Sequence, residues 1–148
     1  MIGAGQLAQM MLAPAAALGV ELITLAQSAN DSAAHIAPHV IGSYSDLETV
    51  RQFAKHCDLL TFEHELIPLS IIKTLESEGV KFSPNSEAFQ YSQDKSAMRT
   101  KLREFPNPKW QIANDSHGLQ YPLIAKAISG GYDGRAVWLV ENQRQLDD

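Results

Sequence analysis

The sequence predicts an α/β fold: a parallel sheet wrapped by helices, followed by the opening of a second domain. Three observations carry this reading. Short apolar runs alternate with stretches of helical periodicity from Gln6 to Phe82, the pattern of a parallel sheet with crossover helices. A glycine turn, Gly3-Ala4-Gly5-Gln6-Leu7-Ala8, leads directly into the first helical stretch. Further on, after a charged helix and two prolines, two apolar strands flank the glycine-rich loop Gly130-Gly131-Tyr132-Asp133-Gly134-Arg135.

The elements follow in order. Gln6 to about Leu18 reads as a helix with a wide apolar surface, started by Gly5 and ended by Gly19. Val20 to Ala26, VELITLA, reads as a buried strand, and Asn30 to Ala34 as a turn. His39 to Gly42 is a short strand around Val40 and Ile41. Asp46 is placed to cap a helix that carries Leu47, Val50, Phe53 and Ala54 at helical spacing. Asp58 to Phe62, DLLTF, is the next buried strand, with Glu63 at its C-terminal end. Pro68 opens a helix with Leu69, Ile72 and Leu75 on one face; Gly79 closes it and VKF follows as a short strand. Asp94 to Arg103 is a charged helix, and Pro106 and Pro108 break the chain. Tyr121 to Ile128 and Ala136 to Val140 are strands on either side of the glycine loop. A further helix is expected near the last residue, Asp148.

The 148 residues suit one domain or one and a part. With 45% hydrophobic and 20% charged residues the chain is globular. A net charge of -5 without a basic run gives no electrostatic case for nucleic acid. The lone Cys57 excludes an internal disulfide, fits a reducing cytoplasm, and reads as a buried, inert thiol. Met1 and Ile2 are followed at once by Gly3 with no basic n-region, so no signal sequence is expected, and the apolar residues 10–26 are broken by Pro14, Gly19 and Glu21, so no membrane span is expected. His35 and His39 stand four apart around Pro38 with no third ligand, so no metal site is predicted here. Trp110 and Trp138 read as packing residues.

Gly3 to Ala8 matches G-x-G-x-x-(G/A), a turn whose helix N-terminus offers amides to a phosphate or simply lets helix and sheet pack. A dinucleotide site expects an acid at the end of the second strand, and that strand ends Leu25-Ala26-Gln27. Only Met1 and Ile2 precede the turn, where a full strand is usual, so a few N-terminal residues are expected to be missing. If strand 58–62 lies beside the first, Glu63 faces the Gly3–Gly5 turn, where a carboxylate accepts from hydroxyls or an amine. Alternation puts Ile124, Lys126 and Ile128 on one strand face. A lysine there needs an anion or a route to solvent, and the adjacent glycine loop can close over phosphates. It is not a Walker loop, since no Lys-Ser/Thr follows the glycines.

The segments IGAGQLAQMM, CDLLTFEHELIP, SPNSEAFQYSQDKSAMR and PLIAKAISGGYDGRAVWLV, in this order, resemble the 5-(carboxyamino)imidazole ribonucleotide synthetase family of ATP-grasp ligases across essentially the whole chain. The resemblance implies a preATP-grasp, Rossmann-like sheet domain over residues 1–93. A linker helix and the beginning of the central ATP-grasp lid domain would follow over 94–148. It implies carboxylation of 5-aminoimidazole ribonucleotide with bicarbonate, through carboxyphosphate, at the expense of ATP. Lys95, Lys126 and the loop Gly131, Tyr132, Asp133, Gly134 and Arg135 fall on ATP-binding positions. Gly5, Gln6, Leu7 and Glu63 fall where the ribonucleotide is held. Tyr132, Asp133 and Arg135 fall beside the chemistry. The family uses Mg²⁺, through acids and an Asn that would lie beyond Asp148, so this chain alone is expected to be inactive. A cytoplasmic homodimer, joined through the N-terminal domain, is also implied. GGYDG separates this reading from transformylase or biotin-carboxylase relatives, and a non-catalytic nucleotide-binding module is the remaining alternative. Ala136 stands where the family commonly has glycine, which stiffens the loop.

Overall fold

The computed structural model describes residues 1–113, 120–131 and 134–147. The chain divides into two compact units, Met1–Phe89 and Gln90–Asp148.

In the first unit, α1 (Gln6–Ala17) leaves the glycine turn and ends before Gly19, whose φ is +70°. The short strands β1 (Thr24–Ala26) and β2 (His39–Ile41) pair in parallel, with Leu25 opposite Val40. Ile2 bridges Leu25 on one side and Phe62 on the other, and Leu60 bridges Phe82, all in parallel sense. The sheet order is therefore β2, β1, the first residues, segment 60–62, then Phe82. The expected strands at 20–26 and 58–62 are shorter than their apolar runs. Within DLLTF the sides alternate: Leu60 is buried and Leu59 is half exposed.

Helices α2 (Leu47–Ala54) and α3 (Leu69–Ser77) cover one sheet face. Asp46 caps α2 as expected, accepting from the Thr49 amide at 2.8 Å. The Arg51 guanidinium forks onto both Glu78 oxygens at 2.8 Å and so ties α2 to the end of α3. Ile2, Leu25, Val50, Phe53, Leu60, Ile72 and Leu75 form the large core on this face. The opposite face is built from Met1, Ala4, Ala8, Ala26, Ala33 and Ala34. Adjacent residues of each central strand divide between the two, Ile2 from Met1 and Leu25 from Ala26, because strand side chains alternate. Alanines let α1 lie close to the sheet, yet Ala8 is the single buried residue of that helix. Leu7, Met10 and Met11 remain exposed.

Helix α4 (Ser86–Gln93) was not expected from the sequence. Its start is held by Asn85, which accepts from the Ala88 amide, and by Glu76 of α3, which accepts from the Ser86 amide and hydroxyl. Its Phe89 enters the large core.

The second unit contains α5 (Lys95–Lys101), capped by Asp94, the hairpin β3 (Leu123–Lys126) and β4 (Val137–Val140), and α6 (Gln143–Asp147). The hairpin is antiparallel, with Lys126 opposite Val137. Ile124 and Lys126 share its exposed face, as alternation predicts. Trp110 and Trp138 are 40% and 55% exposed, so neither is the packing residue expected.

Candidate functional site

The first group of candidate residues lies at the carboxyl end of the parallel strands, where ligands of open α/β sheets bind. The Glu63 amide donates to the Ile2 carbonyl at 2.9 Å, which sets residue 63 beside the glycine turn. The Glu63 carboxylate then accepts three backbone amides: Gly5 at 2.6 Å, Leu7 at 3.1 Å and Ala8 at 3.2 Å. Gly5, Leu7 and Glu63 are thus brought together as the sequence proposed, with Gln6 between them and its side chain exposed.

Of the two readings of this turn, amides open to a phosphate or a turn that lets helix and sheet pack, the structure shows the Gly5, Leu7 and Ala8 amides already taken. The anion on them is the protein's own carboxylate. The glycines are explained by the same contact. A Cβ on Gly3 would come 2.7 Å from the Glu63 Cβ, and one on Gly5 would come 2.6 Å from Glu63 Oε1. Gly3 also has φ +101°, which disfavours any other residue.

His64, to which the sequence assigns no role, follows Glu63 directly. Its Nδ1 accepts from the Leu66 amide at 3.2 Å, and its ring meets Tyr44 edge-on at 4.8 Å. An accepting Nδ1 places the proton of the neutral ring on Nε2. The acid nearest the end of β1, Asp31, turns back to accept from Gln27 and Ser28 amides at 2.9 and 3.2 Å, holding its own loop. Cys57 is half-buried, and desolvation pushes its thiol up from the usual range, which fits an inert side chain.

The second group lies within the second unit. The Lys95 amide donates to the Ile128 carbonyl at 2.9 Å, and its ammonium donates to the Gly131 carbonyl at 3.2 Å. This joins two residues assigned to one ligand from separate motifs. Gly131 has no room for a side chain, since a Cβ would come 2.7 Å from the Arg135 carbonyl oxygen. Gly130 and Gly134 have φ of +76° and +77°, and Ala136 follows at +54°. The position marked as commonly glycine is therefore left-handed here, with alanine in it. Lys126 is exposed and has no hydrogen-bond or ion-pair partner among the described residues. Gly134 and Arg135 are also exposed. Tyr132 and Asp133, assigned to ATP binding and to the chemistry, lie outside the described residues.

Among the described residues no group of three or more His, Cys, Asp or Glu side chains is placed to hold a metal ion. No described helix is long and apolar enough to cross a membrane.

Comparison with known proteins adds the following. Residues 1–93 match the family described as the ribonucleotide synthetase preATP-grasp domain. An N5-carboxyaminoimidazole ribonucleotide synthase of Mycobacterium bovis is 39% identical over 158 aligned positions, covering 100% of this chain and 37% of that protein. The carboxyaminoimidazole ribonucleotide synthase of Aspergillus clavatus, solved with ATP, is 29% identical with a TM-score of 0.81 over 99% of this chain and 42% of its own. The same organism's enzyme, solved with ADP and 5-aminoimidazole ribonucleotide, is 28% identical with a TM-score of 0.79 over the same shares, 99% and 42%. This chain spans well under half the length of each.

Proposed function

The chain belongs to the ribonucleotide synthetase preATP-grasp family, and on that premise we propose that it serves the ATP-dependent carboxylation of 5-aminoimidazole ribonucleotide. Bicarbonate is the carbon source and carboxyphosphate the activated intermediate. Residues 1–93 are the ribonucleotide-holding domain on this reading, and 94–148 begin the ATP-binding lid. The meeting of Glu63 with the Gly5, Leu7 and Ala8 amides at the carboxyl end of the sheet carries the first assignment. An Aspergillus clavatus relative holding both ADP and 5-aminoimidazole ribonucleotide supports it.

The residues divide the work. A carboxylate has about four acceptor directions. Amides take three on Glu63, two on Oε1 and one on Oε2. One Oε2 direction is left to accept from a sugar hydroxyl or an amine. The exposed Gln6 side chain and Leu7 amide region border the same place. Lys126 acts as a point charge on ATP phosphates. Lys95 braces the loop at Gly131 and adds its own charge, while loop amides and Arg135 close over the phosphates. Tyr132 donates to a developing oxyanion and Asp133 takes or passes a proton where carboxyphosphate meets the amine. Magnesium would neutralise phosphate charge in such a reaction. The described residues of this chain do not fit a magnesium site, so no step is assigned to the ion.

A cytoplasmic homodimer joined through the first unit completes the reading. The exposed apolar side chains Met10, Met11 and Leu18 support the joining surface. Titration calorimetry of the complete enzyme tests the whole scheme. Glu63→Ala is expected to weaken ribonucleotide binding and spare ATP, and Lys126→Met to do the reverse. Equal loss of both ligands in either variant would remove the division of labour.

A further inference from the structure

We propose that Glu63 is a positioning and specificity residue: its carboxylate stands in for an anion at the N-terminus of α1 and makes that helix end refuse phosphate. Helix N-termini attract anions because their first amides lack partners and the helix dipole favours negative charge. Helix α1 has 12 residues, a glycine at its N-cap, no side-chain cap and no acid in its first turn. By local sequence it is an open anion site. The structure fills it from 58 residues away, with the Glu63 carboxylate on the amides of Gly5, Leu7 and Ala8.

The filling is built in. Gly3 and Gly5 both lack the Cβ that would collide with Glu63, at 2.7 Å from its Cβ and 2.6 Å from its Oε1. A second anion must either displace this carboxylate or lie against it. The first loses three hydrogen bonds to a charged acceptor, and the second sets like charges in contact. What can approach is a group that donates. On the proposed ribonucleotide reading, on which this sentence alone rests, the ligand's phosphate points away from α1 while Glu63 keeps Gln6 and Leu7 in place.

The experiment follows the backbone amide signals of the chain by NMR during titration with inorganic phosphate, with no ribonucleotide present. In the wild type the Gly5, Leu7 and Ala8 signals are expected to stay in place. In Glu63→Ala the same three signals are expected to shift saturably with phosphate. Glu63→Gln carries the test if the alanine variant does not fold. Its single amide oxygen can accept from only one side of the trio, Leu7 and Ala8 or Gly5, and its NH2 faces the remainder, so faster hydrogen exchange and a smaller phosphate-dependent shift are expected there. A cap of purely structural value would change exchange but create no phosphate response. Saturable shifts at these amides in the wild type would overturn the proposal. So would their absence in every folded variant with an otherwise native spectrum. With no ribonucleotide in the sample, either result stands apart from whether the chain binds one.

Discussion

The Lys95 ammonium donates to the carbonyl oxygen of Gly131, 36 residues further along the chain, at 3.2 Å. The first residue of α5 thereby holds the rim of the glycine loop. Lys126, on the exposed hairpin face, holds nothing among the described residues. The two lysines are expected to behave differently. On the proposed function, Lys126→Met should raise the ATP KM about tenfold or more, the value of one charge-assisted contact, and leave stability unchanged. Lys95→Met should raise the ATP KM and also lower the thermal midpoint. Unchanged ATP kinetics in Lys126→Met would show that this lysine is only a solvated strand residue.

Ala136 sits at φ +54°, a left-handed conformation that costs an alanine about 1 kcal/mol. Ala136→Gly relieves that cost and loses part of the gain to the greater freedom of glycine in the unfolded chain. A net stabilisation of a few tenths to about 1 kcal/mol is expected in urea denaturation. A clear loss of stability would mean that the methyl group packs.

The two glycines facing Glu63 should differ in cost. At Gly3 a side chain meets the Glu63 Cβ and an unfavourable φ together. Gly3→Ala is therefore expected to cost about 2 kcal/mol or more. At Gly5 φ is -81° and the obstacle is only the carboxyl end. Gly5→Ala should destabilise the wild type but be nearly neutral in a Glu63→Ala background. Additive losses in that double-mutant cycle would deny the contact.

Thr24 is fully buried, and its hydroxyl has no hydrogen-bond partner among the described residues. Thr24→Val keeps the shape and removes an unsatisfied polar group. A gain of about 1 kcal/mol is expected. A loss of that size in chemical denaturation would reveal a bonded hydroxyl.

Asp46 accepts from the Thr49 hydroxyl and amide, which holds its carboxyl below the usual range. A carboxyl depressed in the folded state stabilises at pH above its unfolded value, near 3.9. That contribution is lost as pH falls through the folded pKa. Asp46→Ala is thus expected to lower the thermal midpoint at neutral pH, with the gap to wild type closing in acid. A gap that persists below both values would assign the effect to packing instead.

Some of the molecule was legible in the chain itself. Asp46 caps α2, Val50 and Phe53 are buried at helical spacing, and Gly19 and Gly79 end their helices with positive φ, because these are interactions among near neighbours. The glycine loop and the alternation of Ile124 and Lys126 are local in the same sense. Helix α4 was not legible. Its Asn85 cap is local, but the Glu76 side chain that completes the helix start belongs to α3, so no local pattern announces it. Glu63 shows the same limit at the candidate site. Local pattern marked a glycine turn and an acid and left the turn open to phosphate, while the sheet carried that acid onto the turn from 58 residues away. A helix end accepts whichever anion the fold brings to it. The sequence by itself determined the donors and the acceptor; only the parallel packing of residue 2 against residue 62 decided that they satisfy each other.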